Sequence, residues 1–199
     1  MDEFLLIDTS TPIIQCGTVN SEGKTTVAMR GSGDVVEVLP DFVGQICKSG
    51  FDDKLGIVYC HGPGSTLGLR SALMAINVWI RFCGKKLKLY SYSSLSMAKY
   101  LANGEVIACG SSGKFVAETP DGKIETVGTL DGFGEFCFLN TRRIVPTAAR
   151  NMRLVDYDLG KFGGDVFSIS HETEIPDLCA AGKRQFLKWS GTRHRAPNI

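Results

Sequence analysis

A chain of 199 residues is long enough for one sizeable core or two small ones. Its 22 basic and 21 acidic residues leave a net charge of +1, which argues against a protein that holds nucleic acid by global electrostatics. The seven cysteines, at 16, 47, 60, 83, 109, 137 and 179, form no CxxC pair and make an odd count, so neither a zinc site nor a redox motif is indicated and reduced thiols in a cytoplasmic protein are expected.

The opening MDEFLLIDTS has no basic region before a long apolar run, so neither a signal peptide nor a membrane span is expected. Phe4 to Ile7 is continuously apolar and reads as a central strand ending at Asp8. Thr9 to Pro12 is a turn, Ile13 to Val19 a second strand and Thr25 to Met29 a third. From Val35 to Cys47, Val35, Leu39, Phe42, Val43 and Ile46 recur at helical spacing, and Pro40 is expected to kink the helix or mark its start. Leu55 to Cys60 is a further buried strand.

The stretch YCHGPGSTLGLRSALMAINVWIRFCG follows, from Tyr59 to Gly84. Its glycine-punctuated loop precedes a helix that Ser65 or Thr66 can cap and Gly84 can end. At 100° per residue Leu69, Leu73, Ile76 and Ile80 form one apolar stripe, and the small residues Gly68, Ala72 and Ala75 form a second beside it. Val78, Trp79 and Phe82 fill most of the rest, and polarity is confined to Arg70, Asn77, Arg81 and Ser71. Such a helix is either enclosed by its own fold or packed on its sheet by one face and on another subunit by the other. Beyond it, Leu87 to Ser91 is a strand, and Ser93 or Ser94 can cap a helix through Leu101.

Asn103-Gly104 is the candidate boundary between a lobe of residues 1–103 and a second of 104–199. Strands are expected at 105–109, 114–119, 123–127, 136–139 and 166–170, and a helical turn at 147–152. Both halves open with strand–turn–strand, as a duplicated architecture would.

Three strands, a helix, a strand, a helix and a strand match half of the actin-like ATPase fold, an α/β class of two lobes with mixed sheets flanked by helices. LLIDTST at 5–11, VLPDFVGQICKSG at 38–50 and GPGSTLGLRSALMAIN at 62–77 narrow the match. Together they resemble the bacterial TsaB (YeaZ) family, a subunit of the machinery that makes threonylcarbamoyladenosine on tRNA. Gly62, Pro63, Gly64, Ser65, Gly68, Leu69 and Arg70 fall on that family's G-P-G-S loop motif, with Thr66-Leu67 in place of the usual aromatic-threonine pair. The similarity covers residues 4–101; in the second half Cys109-Gly110-Ser111-Ser112 stands where the family has an Asp-Ala-Arg type turn.

The resemblance implies a cytoplasmic, non-catalytic subunit with no cofactor of its own, ATP and magnesium belonging to its partners. It would bind the catalytic subunit TsaD, with the ATPase TsaE joining nearby, form a homodimer when alone, and meet tRNA only through the complex. The expected interface is Leu39, Val43 and Ile46 of the first helix with Gly68, Leu69, Ala72, Leu73, Ala75, Ile76 and Ile80 of the second. On that view Leu73→Arg leaves the monomer folded and abolishes partner binding.

One rival is an ATP-dependent kinase or transferase of the same fold, with Asp8, Thr9 and Ser10 holding nucleotide beside the Gly62–Ser65 loop. Another is a homodimeric scaffold that has left the tRNA pathway. Asp8 can hold a magnesium-bound water or cap its own turn, and Ser65 is better placed as a helix cap than as a nucleophile. His61, His171 and His194 have no ligand spacing. Acid-free basic runs at 61–104, at Arg142, Arg143, Arg150 and Arg153, and at Lys183 to Arg195 are solvated faces or a margin for tRNA.

Overall fold

The computed structural model describes residues 4–20, 25–48, 50–51, 55–83, 87–102, 106–109, 115–118, 124–127, 137–143, 152–161 and 170–172. The basic tail, the 103–104 boundary, nearly all of the expected 147–152 turn and residues 166–169 lie outside them.

The chain opens with β1 (Phe4–Asp8), β2 (Ile14–Val19) and β3 (Thr25–Gly31), an antiparallel meander, followed by α1 (Val35–Ile46). Helix α1 starts at Val35 rather than at Pro40, because Asp34 caps it: its side chain accepts from the Val36 N–H at 2.9 Å. β4 (Gly56–Gly62) pairs parallel with β1, α2 (Thr66–Cys83) follows, and β5 (Leu89–Ser93) pairs parallel with β4. α3 (Ser94–Ala102) leads into a second sheet of β6 (Val106–Cys109), β7 (Phe115–Glu118), β8 (Ile124–Val127), β9 (Cys137–Leu139) and β10 (Arg153–Leu154). β11 (Ser170–Glu172) then joins the first sheet, antiparallel to β5.

The sheet orders are β11-β5-β4-β1-β2-β3 and β10-β9-β6-β7-β8. Each is a three-stranded antiparallel meander whose first strand also pairs in parallel with a later strand, so one topology is used twice. This is the two-lobed actin-like architecture expected from the element order.

β1 is apolar on both faces because both faces are covered. Leu5 and Ile7 pack with Ile14, Ile57 and Tyr59 under Leu39 and Val43 of α1 and Ala72, Leu73 and Ile76 of α2. Leu6 faces the other way, into a core with Val58, Leu95, Met97 and Ala98. Val116 and Leu139 of the second sheet share that core, as do Tyr157 and Leu159. The segment Val155 to Lys161 straps back over the first sheet. Gln15 donates Nε2 to the Tyr157 carbonyl at 2.9 Å and accepts from the Leu159 N–H at 2.9 Å, and Arg30 meets Asp158 at 2.8 Å.

No helix among the described residues is long and apolar enough to cross a membrane.

Candidate functional site

The loop before α2 is built against the turn of the first hairpin. Ser65 donates its N–H to the Ser10 carbonyl at 2.8 Å, then caps α2: its Oγ accepts from Gly68 at 3.1 Å and its carbonyl from Leu69 at 2.9 Å. Two glycines make that approach feasible. A Cβ on Gly64 would stand 2.4 Å from the Ser10 carbonyl oxygen, and one on Gly68 would stand 2.3 Å from that of Thr9. Ser94 Oγ closes the loop from below, donating to the Pro63 carbonyl at 2.5 Å. The GPGS motif is therefore a packing joint, and Ser65 is a cap.

Asp8 is fully buried beneath this joint. Its Oδ1 accepts from the Ser10 N–H at 2.8 Å and from Ser10 Oγ at 2.6 Å, so the residue closes its own turn. Its Oδ2 accepts from the hydroxyls of Tyr92 and Tyr157, each at 2.6 Å. Burial, and then the neighbouring Asp8, push both phenols well above the ordinary tyrosine value, and the same causes raise the Cys60 thiol. Both carboxylate oxygens are occupied by protein donors, which does not fit a magnesium-bound nucleotide. Among the described residues no group of three or more His, Cys, Asp or Glu could hold a metal ion. Sequence reasoning found Asp8 but missed Tyr92 and Tyr157, which lie 84 and 149 residues away and carry no local signal.

The expected interface list needs correction. Leu69 is buried in the core shared with Leu6 and Val58, Gly68 is buried against Thr9, and Leu39, Val43, Ala72, Leu73 and Ile76 are buried in the core of Leu5 and Ile7. Ile46, Ala75 and Ile80 are half-buried and packed on the same core. Leu73→Arg would therefore place a charge in the core, and the monomer would not survive it. Asn77 is also turned inward, donating Nδ2 to the Leu73 carbonyl at 2.9 Å. The physical reason is that the stripe most regular in sequence is the one the sheet takes first.

A different apolar face of α2 is open. Leu67 is 77% exposed and Phe82 87%, and Met74 and Val78 are also exposed. Their spacing of seven, four and four residues places all four on one side of the helix, and Arg70 and Arg81 flank them. Val36 of α1 is a further exposed apolar side chain. The spacing was legible in the sequence, but the competing inward stripe hid it.

Where the hairpin turn, the starts of α1 and α2 and the loop after β9 meet, they enclose a cleft of about 680 Å³. Arg142 and Arg143, read in the sequence only as part of a basic run, line it with Thr9, Gly64 and Ser65.

No protein-family model matches the sequence, and no curated protein matches it. Solved structures do. YeaZ from Pseudomonas aeruginosa superposes with a TM-score of 0.51 at 13% identity, covering 70% of this chain and 76% of that one. An uncharacterized protein described as similar to the peptidase YeaZ from Pseudomonas aeruginosa gives 0.52 at 14%, with the same coverage. The fold is YeaZ-like. At this identity the likeness speaks to fold alone, and it agrees with the actin-like topology read from the strand order.

Proposed function

We propose that this chain is a non-catalytic docking subunit of the TsaB type, which binds a second actin-like subunit through the outer face of α2 and thereby supports threonylcarbamoyladenosine formation on tRNA. The observation that carries the reading is the open apolar face of Leu67, Met74, Val78 and Phe82 on a helix whose opposite face is already spent on its own core. Burying each such side chain contributes about 1.5–3 kcal/mol, enough together to offset much of an association cost of about 4–15 kcal/mol. The partner is TsaD, with TsaE joining at the margin of the contact. In the absence of TsaD the same patch supports a homodimer, because a two-fold contact uses one surface twice.

Asp8 favours this reading over a magnesium-dependent kinase, since its hydrogen bonds are committed to Ser10, Tyr92 and Tyr157. The test is the mass of the complex formed with TsaD, measured for the native chain and for Met74→Arg/Phe82→Arg. The expected result is a complex with the native chain and none with the variant, at an unchanged melting temperature. A variant that still assembles would remove the α2 face from the interface. Unchanged levels of the modified nucleoside after depletion of the protein would separate the chain from the tRNA pathway.

A further inference from the structure

Three parts of the chain converge on one buried carboxylate. Asp8 ends β1 and is 0% exposed. The donors on it are the N–H and hydroxyl of Ser10, the phenol of Tyr92 on β5 and the phenol of Tyr157 on the strap. A buried carboxylate is costly to desolvate, so it adds little net stability. What it supplies is direction, because each oxygen holds its donors in a fixed place.

The strap is held in register so that Tyr157 can reach that acid. The Gln15 amide engages the Tyr157 carbonyl and the Leu159 N–H, and Thr25 Oγ1 donates to the Leu159 carbonyl at 3.0 Å. Arg30 and Asp158 pair at its exposed edge.

On its other side Asp8 leads to α2. Its Oδ1 holds both the N–H and the hydroxyl of Ser10, whose carbonyl accepts from the Ser65 N–H at 2.8 Å. Ser65 in turn takes the N–H groups of Gly68 and Leu69. The close approaches of Gly64 to Ser10 and of Gly68 to Thr9 seat the first turn of α2 directly on this backbone. Leu67, the first docking side chain, belongs to that turn, and Met74, Val78 and Phe82 follow on the same helix.

We propose that Tyr157 is a positioning residue: through Asp8 and Ser10 it sets the first turn of α2, so that the strap from the second half of the chain governs how the outer face of α2 is presented. The consequence for docking rests on the reading given above, whereas the consequence for α2 itself does not.

The experiment is amide hydrogen exchange by nuclear magnetic resonance on the full chain, well below the melting transition. It compares the native protein with Tyr157→Phe, Tyr92→Phe and Arg30→Gln. In Tyr157→Phe the Gly68 and Leu69 amides exchange about tenfold faster while those of α1 keep their native rates, because the lost donor acts locally. Tyr92→Phe, which strips a donor from the same oxygen, gives the same pattern and stands in should Tyr157→Phe not fold. Arg30→Gln cuts the strap's exposed ion pair, leaves Asp8 its donors and changes neither amide. Affinity for TsaD, measured by calorimetry, falls about fivefold in Tyr157→Phe and is unchanged in Arg30→Gln.

Equal acceleration in every element would show that the phenol supplies only global stability and would overturn the proposal. Native exchange at Gly68 and Leu69 in both tyrosine variants, or faster exchange there in Arg30→Gln, would overturn it too. Native affinity for TsaD in a chain with accelerated exchange would remove the consequence for docking. A native chain that does not bind TsaD overturns the docking reading, and the exchange rates then still decide the role of Tyr157.

Discussion

Both sides of α2 carry large apolar side chains, and these have opposite fates. The inner side, Leu69, Leu73 and Ile76, is buried, while the outer side, Leu67, Met74, Val78 and Phe82, stands open. The outer side also carries Arg70 and Arg81, and the inner side carries no charge. The joint at the helix start, where Gly68 lies against the Thr9 carbonyl, adds a close backbone contact on the inner side. A helix turned by half a revolution would bring Arg70 and Arg81 towards the core.

That contrast can be broken most severely from within. Leu73→Arg should cost about 2–5 kcal/mol for the lost side chain alone, before the penalty of an unpaired buried charge. Set against a typical stability of about 5–15 kcal/mol, this predicts loss of cooperative thermal unfolding by circular dichroism. A folded Leu73→Arg monomer would mean that the inner face is not core.

Gly68→Ala attacks the joint. With its Cβ 2.3 Å from the Thr9 oxygen, the helix must shift, at about 1–3 kcal/mol for overpacking. The expected readout is a lower denaturation midpoint together with altered docking, because the outer face moves with the helix.

Tyr157→Phe removes one of the two phenols on Asp8 Oδ2 and leaves a buried acceptor short of a donor, costing about 1–3 kcal/mol. The same pair gives a pH signature. Both phenols are held neutral in the folded chain, with values raised above the ordinary one. Their contribution is complete below about pH 10, where an unfolded tyrosine begins to ionise, and is lost as pH rises further towards the folded values. Melting temperature should be insensitive to these groups through the neutral range and fall above about pH 10, less steeply in Tyr92→Phe/Tyr157→Phe. An equal alkaline fall in that variant would show that the tyrosines do not carry it.

The smallest effect on stability belongs to the outer face. Phe82→Arg should change unfolding free energy by no more than about 0.5 kcal/mol, as exposed positions do, while complex formation is lost. A large destabilisation would mean that Phe82 is packed in the native chain.

Much of the first lobe was legible because its signals are local. The unbroken apolar run at 4–7, the glycine-rich loop at 62–65 and the helical spacing at 35–46 named their elements without reference to anything distant. The strand–turn–strand opening of each half likewise anticipated two sheets of one topology. The site was less legible. Tyr92 and Tyr157 meet at Asp8 only after the chain has built a second sheet and returned, and Arg142 and Arg143 join Thr9 in the cleft by the same return.

The sequence alone placed the strands and helices of the first half, since periodicity and caps act over a few residues, and it left open whether α2 is enclosed by its own fold or packed on another subunit. Tertiary structure alone decided which apolar side chains of α2 stay open, because that depends on how much of the helix the first sheet and α1 cover.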